Sequence, residues 1–291
     1  MSDACDIAWL DGDFVPLSEV RVSPLDRGFL FADAVYEGIP VYAGSVYRLE
    51  QHLDRLERSL REIRMEPVLG RQAWRKVFGG LVARNGGGDL LIYLQVTRGV
   101  EPQRSHVPAP GLRPTIFAMA SRLPPLAADP MQRGVEAVTR QDLRWGRCDI
   151  KTTALLANVL AKWSAQDEGA SEALLLRDGW LTEGAASSAH VVRGGRIVTP
   201  PLTPQVLPGT TREALLELAP RCGIESIVDD VGETELRAAP EVILASAGGG
   251  VRAVTRLDGQ PVGDGRPGPV FCRLYETWYS TRAELSVECR E

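Results

Sequence analysis

Lysine is almost missing from this chain. Of its 33 Lys and Arg residues only Lys76, Lys151 and Lys162 are lysines, so a lysine here is not a routine surface cation. Histidine is as scarce: His52, His106 and His190 have no metal-ligand spacing among them, and no metal site is expected. The five cysteines, Cys5, Cys148, Cys222, Cys272 and Cys289, are scattered, odd in number and without C-x-x-C spacing. That excludes a disulfide framework and reads as reduced thiols in a cytoplasmic protein. No stretch approaches the ~18 apolar residues of a spanning helix, and "MSDACDIAWLDGDF" carries acids where a signal peptide needs bases. Excess positive charge is also lacking. A formal net charge of -5 argues against nucleic acid or an anionic membrane as the main partner. There is no P-loop, no GxSxG elbow, no internal repeat and no low-complexity tract.

What is present describes a globular chain. At 291 residues, 44% hydrophobic and 24% charged, it is long enough for two domains with cores of their own. Apolar runs broken by Asp-Gly or Gly-Gly predict three hairpins: "IAWLDGDFVPL", "ALLLRDGWLTE" from Ala173 to Glu183, and "HVVRGGRIVTP" from His190 to Pro200. In "LEQHLDRLERSLREI", Leu49, Leu53, Leu56, Leu60 and Ile63 fall on one helical face. Further helices are predicted over Trp74–Arg84, after Lys151, from "GTTREALLELA", and around Val270–Arg282. Strands are predicted at "DLLIYLQVTRG", "TIFAMASRL", "GVEAVTRQDLRW" and "EVILASAGGG". Without a regular βαβ alternation the fold class is α+β, with mixed or antiparallel sheets and no Rossmann fold. The Pro-rich 123–130 stretch predicts a linker between a small N-terminal domain, 1–122, and a larger C-terminal domain, 131–291, that carries Lys151.

Three constellations could carry chemistry. Lys151 stands where a predicted strand hands over to a helix, and an ammonium, unlike a guanidinium, can lose its proton and form a Schiff base. "LPGTTRE", Leu207 to Glu213, places Gly209, Thr210 and Thr211 before a helical run, where backbone N–H groups and hydroxyls suit a phosphate. Plain N-capping by either threonine explains the same letters. Such a cradle needs a cation, for which Arg55 is a candidate. Glu183, in "WLTEGAASSAH", precedes small residues that would let a planar ligand approach, and its carboxylate could hold a ring nitrogen protonated. Taken alone, it reads rather as a charged turn residue.

Taken together and in chain order, these residues resemble the class IV, or fold type IV, pyridoxal-phosphate aminotransferases. The resemblance runs through "DRGFLFADAVYEGIPVYAG", "HLDRL", "VTRG", "RWGRCDIKTTALLANVLAK", "TEGAASSAHVV" and "LPGTTRE". It implies pyridoxal 5'-phosphate as cofactor and Lys151 as the residue that binds it covalently and shuttles the substrate proton. It implies that Glu183 pairs with the pyridine nitrogen. Arg55, Gly209, Thr210 and Thr211 would hold the phosphate, with Leu207 against the ring. In the D-amino acid branch an Arg-x-His pair from the partner subunit joins a tyrosine on the substrate carboxylate; Arg104, His106 and Tyr36 match it.

Departures from the family pattern bear on substrate range. Ser188 stands where relatives usually have asparagine, and His190 where an aromatic is common. In "LASAGGG" the phosphate loop keeps Ser246, while Ala247 and Gly248 offer only backbone N–H. Gly38 replaces a β-branched residue and should enlarge the pocket. The resemblance therefore implies a homodimeric transaminase acting on D-amino acids and 2-oxo acids. An (R)-selective amine transaminase, a branched-chain aminotransferase and an aminodeoxychorismate lyase of the same fold are the alternatives.

Overall fold

The structure, a computed structural model, describes residues 4–124 and 129–289. By backbone contacts it divides into two units. The first is Met1–Pro124, Ile150–Ala154 and Arg282–Glu291; the second is Pro125–Asp149 and Leu155–Thr281. The boundary expected at 123–130 lies partly outside the described residues. Lys151, assigned from the sequence to the C-terminal domain, packs with the first unit. The reason is local: Ile150 is buried in the first unit's core, and Lys151 and Thr153 hydrogen-bond to the strand Ala34–Tyr42.

The first unit is built on a seven-stranded sheet in the order Ser286–Val287, Ser45–Tyr47, Ala34–Tyr42, Leu90–Thr97, Thr115–Arg122, Ala4–Leu10, Asp13–Pro16. Its described pairings are antiparallel. The helix Leu49–Glu62 turns Leu49, Leu53, Leu56 and Leu60 into the core beneath Val35, Ile39 and Val41. Trp74 and Phe78 of the helix Arg71–Arg84 stack there with ring centroids 5.7 Å apart. Burial of each such side chain contributes ~1.5–3 kcal/mol.

The strand Ala34–Tyr42 was not legible in the sequence. Gly38 and Pro40 interrupt its apolar run. Pro40 is tolerated because the strand pairs with Ser45–Tyr47 only through Val41 and Tyr42, so the missing N–H costs no ladder bond there. In the "DRG" stretch before it, Asp26 is structural. Asp26 caps the short helix Arg27–Phe31 through Gly28 N at 2.7 Å and accepts from the hydroxyls of Thr97 at 2.9 Å and Thr115 at 2.7 Å.

The second unit carries the larger sheet, ordered Ser226–Val228, Arg196–Thr199, Ser188–Arg193, Val242–Ser246, Gly250–Leu257, Val135–Gln141, Glu172–Arg177, Trp180–Gly184. Three of its pairings are parallel, making the sheet mixed as expected. All three predicted hairpins form at their Asp-Gly or Gly-Gly turns. The helix predicted after Lys151 begins five residues later, at Leu156–Asp167, leaving Lys151 outside regular secondary structure. The helices Thr210–Leu218 and Pro269–Thr281 complete this unit near their predicted places.

Candidate active site

In the first unit, the backbone around Lys151 is held at three points. Tyr36 N–H donates to Lys151 O at 2.9 Å, Lys151 N–H donates to the Ser59 hydroxyl at 3.3 Å, and Thr153 N–H donates to Ala34 O at 3.2 Å. A fixed main chain leaves only the side chain to move. Its Nζ lies 4.2 Å from the centroid of the Tyr36 ring, which stacks on Tyr93 at 5.7 Å. Gly38, two residues along, points to the same face of the strand. A Cβ added there would meet only Leu91 Cδ1, at 4.0 Å, so glycine leaves open space beside the tyrosine.

The alternate face of that strand carries Glu37, which sequence reasoning missed. It is fully buried and takes Arg55 as a fork: Nε to Oε1 at 2.8 Å and Nη2 to Oε2 at 2.7 Å. His52 Nδ1 lies 2.8 Å from Oε2. Burial alone would raise the Glu37 pKa, but Arg55 and His52 outweigh it and hold the carboxyl down at about 2. Burial pushes the His52 imidazole below its ordinary value, so at neutral pH it is an uncharged donor to Glu37. The expected phosphate cation Arg55 is thus oriented by a buried carboxylate that the spacing of "HLDRL" does not announce.

Arg104 and His106 stand together on a single ring. The Arg104 guanidinium lies 4.5 Å from the Phe31 centroid and the His106 ring 5.5 Å away, both side chains exposed.

In the second unit, Glu183 is buried at the end of the strand Trp180–Gly184. It accepts from Arg144 Nη1 and from Leu207 N–H at 3.2 Å. Arg144 also went unnoticed from the sequence. Asp142 clamps its Nε and Nη2, each at 2.9 Å, and its Nη2 reaches Gln205 O at 3.2 Å. One guanidinium therefore joins the 142–144 turn, the Glu183 strand and the loop to Leu207. Burial would raise the Asp142 pKa, yet Arg144 holds it below its ordinary value.

Gly209 is the N-cap of the helix Thr210–Leu218 and has no side chain to close it. A Cβ at Gly209 would stand 2.4 Å from the Ser188 hydroxyl, so only glycine lets Ser188 approach the helix start. Thr210 and Thr211 are buried in the first turn. Ser188 pairs with Ala245 across the sheet, which brings the Ser246–Gly249 turn to the same edge; there the Ser246 hydroxyl accepts from Gly249 N–H at 3.1 Å. Ala247 lies within that turn.

His190 belongs to the interior of this unit. It is fully buried opposite Ile243, and neither ring nitrogen has a hydrogen-bond partner among the described residues. Burial, aided by Arg212, pushes its pKa down to about 3. Arg212 itself is bound to the Thr199 hydroxyl at 3.1 Å and Pro200 O at 3.0 Å. We expect His190→Leu to raise stability at neutral pH by ~1–3 kcal/mol, the cost of unpaired buried polar groups. Folded His190 stays neutral to about pH 3, whereas the unfolded chain takes up its proton below ~6.5. The native chain should therefore lose ~1.4 kcal/mol of stability per pH unit below 6.5, a loss absent in the variant. Urea unfolding at pH 7 and pH 5.5 measures both.

These groups fit pyridoxal phosphate. In the second unit Glu183 is a buried carboxylate ion-paired with Arg144, the type of group that can face a protonated ring nitrogen, and the helix Thr210–Leu218 starts at a glycine with no side-chain cap; in the first unit the Lys151 amine stands on a fixed backbone. Among the described residues no group of three or more His, Cys, Asp or Glu side chains is placed to hold a metal ion, and no helix is long and apolar enough to cross a membrane.

Comparison with known proteins agrees. The sequence pattern of the family described as amino-transferase class IV matches residues 34–257. A D-alanine aminotransferase of Bacillus licheniformis is 39% identical over 260 residues, 89% of this chain and 91% of that one. One from Staphylococcus aureus strain MSSA476 is 37% identical over 268 residues, covering 92% and 95%. Among solved structures, the branched-chain aminotransferase of the thermophilic archaeon Thermoproteus uzoniensis, solved with norvaline, superimposes with a TM-score of 0.86 at 26% identity, over 97% of this chain and 96% of that one. With residues 34–257 inside the family's pattern and two relatives at 37% identity or more over most of their length, the chain belongs to the class IV aminotransferases.

Proposed function

We propose that this chain is a homodimeric, pyridoxal-phosphate-dependent transaminase that moves the amino group of a D-amino acid to a 2-oxo acid. The observation that carries the choice of donor is the pair Arg104 and His106, set side by side on Phe31. A guanidinium and an imidazole presented together suit a carboxylate, and the similarity to D-alanine aminotransferases supports the same choice.

In this reading Arg104 and His106 act on the partner subunit's substrate, beside the phenol of Tyr36. Lys151 binds the cofactor covalently, and its freed Nζ takes the proton from the substrate Cα. Glu183 holds the ring nitrogen in its protonated form. Arg55, Ser188, Gly209, Thr210, Thr211, Ser246 and Ala247 hold the phosphate, and Leu207 lies against the ring. Gly38 leaves room for the substrate side chain. When bound, pyridoxal phosphate supplies the electron sink that lets the Cα proton leave.

The test is stereochemical. Separate D- and L-amino acids are added to the purified yellow protein and its visible band is followed. Loss of the band with D-alanine or D-glutamate, but not with their mirror images, is expected. L-leucine as the better donor would favour the branched-chain reading, and 1-phenylethylamine outrunning D-alanine the amine transaminase.

The dimer is supported by an apolar stripe on the helix Leu156–Asp167. Leu156, Val159, Leu160 and Trp163 follow i, i+3, i+4, i+7 spacing and are exposed, Trp163 at 61% and Leu156 at 72%. Trp163→Glu should shift sedimentation from dimer to monomer and lower activity with it; an unchanged sedimentation coefficient would remove this helix from the interface. All five cysteines are unpaired, which supports a reducing, cytoplasmic setting.

A further inference from the structure

We propose that Arg27 and Phe31 are positioning residues for Arg104 and His106, holding that pair in its carboxylate-binding arrangement before substrate arrives. The proposal rests on the reading of Arg104 and His106 as the carboxylate-binding pair.

The loop that carries the pair has no regular structure from Glu101 to Ala109, and Arg104, Ser105 and His106 are exposed. At its centre one buried side chain holds it. Arg27 is 3% exposed. Its Nη1 donates to Ser105 O at 2.7 Å and Glu101 Oε2 at 2.5 Å, its Nη2 to His106 O at 3.1 Å, and its Nε to Asp33 Oδ2 at 2.8 Å. Two consecutive carbonyls held by one planar fork fix the orientation of the peptide between them. Phe31, on the same short helix as Arg27, receives the Arg104 guanidinium at 4.5 Å and the His106 ring at 5.5 Å. It also lies 4.8 Å from the Arg27 guanidinium carbon, so the anchor and the presented pair share one ring.

The base of the loop is pinned as well. Arg27 N–H donates to Gly99 O at 2.9 Å, and Glu101 Oε1 accepts from Ala109 N–H at 2.8 Å. Gly99 has φ +103, and a Cβ there would come within 1.9 Å of Arg113 O, so the two ends cross where only glycine fits. An exposed arginine left to wander would have to be ordered at each binding event. Anchoring it in advance removes that cost from the binding step, so the effect belongs in substrate affinity.

The test compares R27Q, R27K and F31L with R104A, all as holoenzyme, in steady-state transamination of D-alanine. R27K keeps the buried charge beside Asp33 and Glu101 but loses the fork, and F31L leaves Arg27 in place, so either stands in if R27Q fails to fold. The expected result is a KM for D-alanine raised ~10- to 100-fold with kcat within about twofold. The double variant R27Q/R104A, or R27K/R104A in its stead, should be no worse in KM than R104A. Unchanged KM in the Arg27 and Phe31 variants beside a raised KM in R104A would overturn the proposal and leave the reading of the pair intact. Parallel loss of kcat and thermal midpoint without a KM effect would assign Arg27 a structural role only, which also overturns it. Unchanged KM in R104A itself would remove the reading of the pair, and this proposal with it.

Discussion

Lys151→Arg should lower transamination of D-alanine at least ~10³-fold, the scale on which a nucleophile and general base contribute. Arginine keeps a positive charge of similar length but cannot give up its proton in a protein, so the variant removes the chemistry and spares the cation. The contacts that place residue 151 come from its main chain, to Tyr36 N–H and the Ser59 hydroxyl, and survive the substitution. Thermal unfolding should therefore stay close to that of the native chain while turnover collapses. Borohydride reduction followed by peptide mapping gives the second readout: the label is expected on Lys151 of the native protein and on no peptide of the variant. Turnover within tenfold of native, or a label elsewhere, would remove Lys151 from the reaction.

The largest stability effect is expected at Glu37. Glu37→Gln takes away the carboxylate that faces the buried Arg55, a change that costs ~3–5 kcal/mol when one member of a buried ion pair is lost. Glutamine can still accept a hydrogen bond, but it cannot neutralise a guanidinium that is itself 7% exposed. The pH dependence has a definite sign. Glu37 in the fold is ionised down to about pH 2, against ~4.3 in an unfolded chain. Its contribution is therefore complete above ~4.3 and is lost as pH falls towards 2. Denaturant unfolding at pH 7 and pH 3 should show the native–variant gap narrowing at the acid end. A double variant, Glu37→Leu with Arg55→Leu, should recover much of the stability, because an apolar pair of similar volume avoids desolvating two charges. It should still bind cofactor weakly if Arg55 holds the phosphate, separating the two roles of this arginine.

Periodicity and turn chemistry are local, and they were legible. The Asp-Gly and Gly-Gly hairpins and the leucine face of Leu49–Glu62 follow from residues within a few positions of each other. The strand Ala34–Tyr42 was not legible, because Gly38 and Pro40 break the run and only its sheet neighbours make it a strand. Glu37 lay inside a quoted motif and still could not be singled out: its partners are 15 and 18 residues away on a helix whose rotation the letters do not specify. Arg144 is separated from Glu183 by 39 residues, and nothing in "RWGRC" distinguishes it from a surface arginine. Arg27, in "DRG", acts on a loop more than 70 residues further on.

The sequence by itself determined the chemistry available to this protein: one lysine worth following, a glycine and two threonines before a helix, a carboxylate ahead of small residues, and a collinear order shared with the class IV aminotransferases. Residue types and short spacings suffice for that, since they set proton affinity, donor count and local backbone preference. Only the tertiary structure decided which groups hold those residues in place. The buried Glu37 that orients Arg55, the Arg144 that pairs with Glu183, the Arg27 under the Arg104 loop and the first-unit packing of Lys151 all depend on contacts distant in sequence. Such contacts arise when strands choose their partners, and burial then makes each unpaired charge too costly to leave alone.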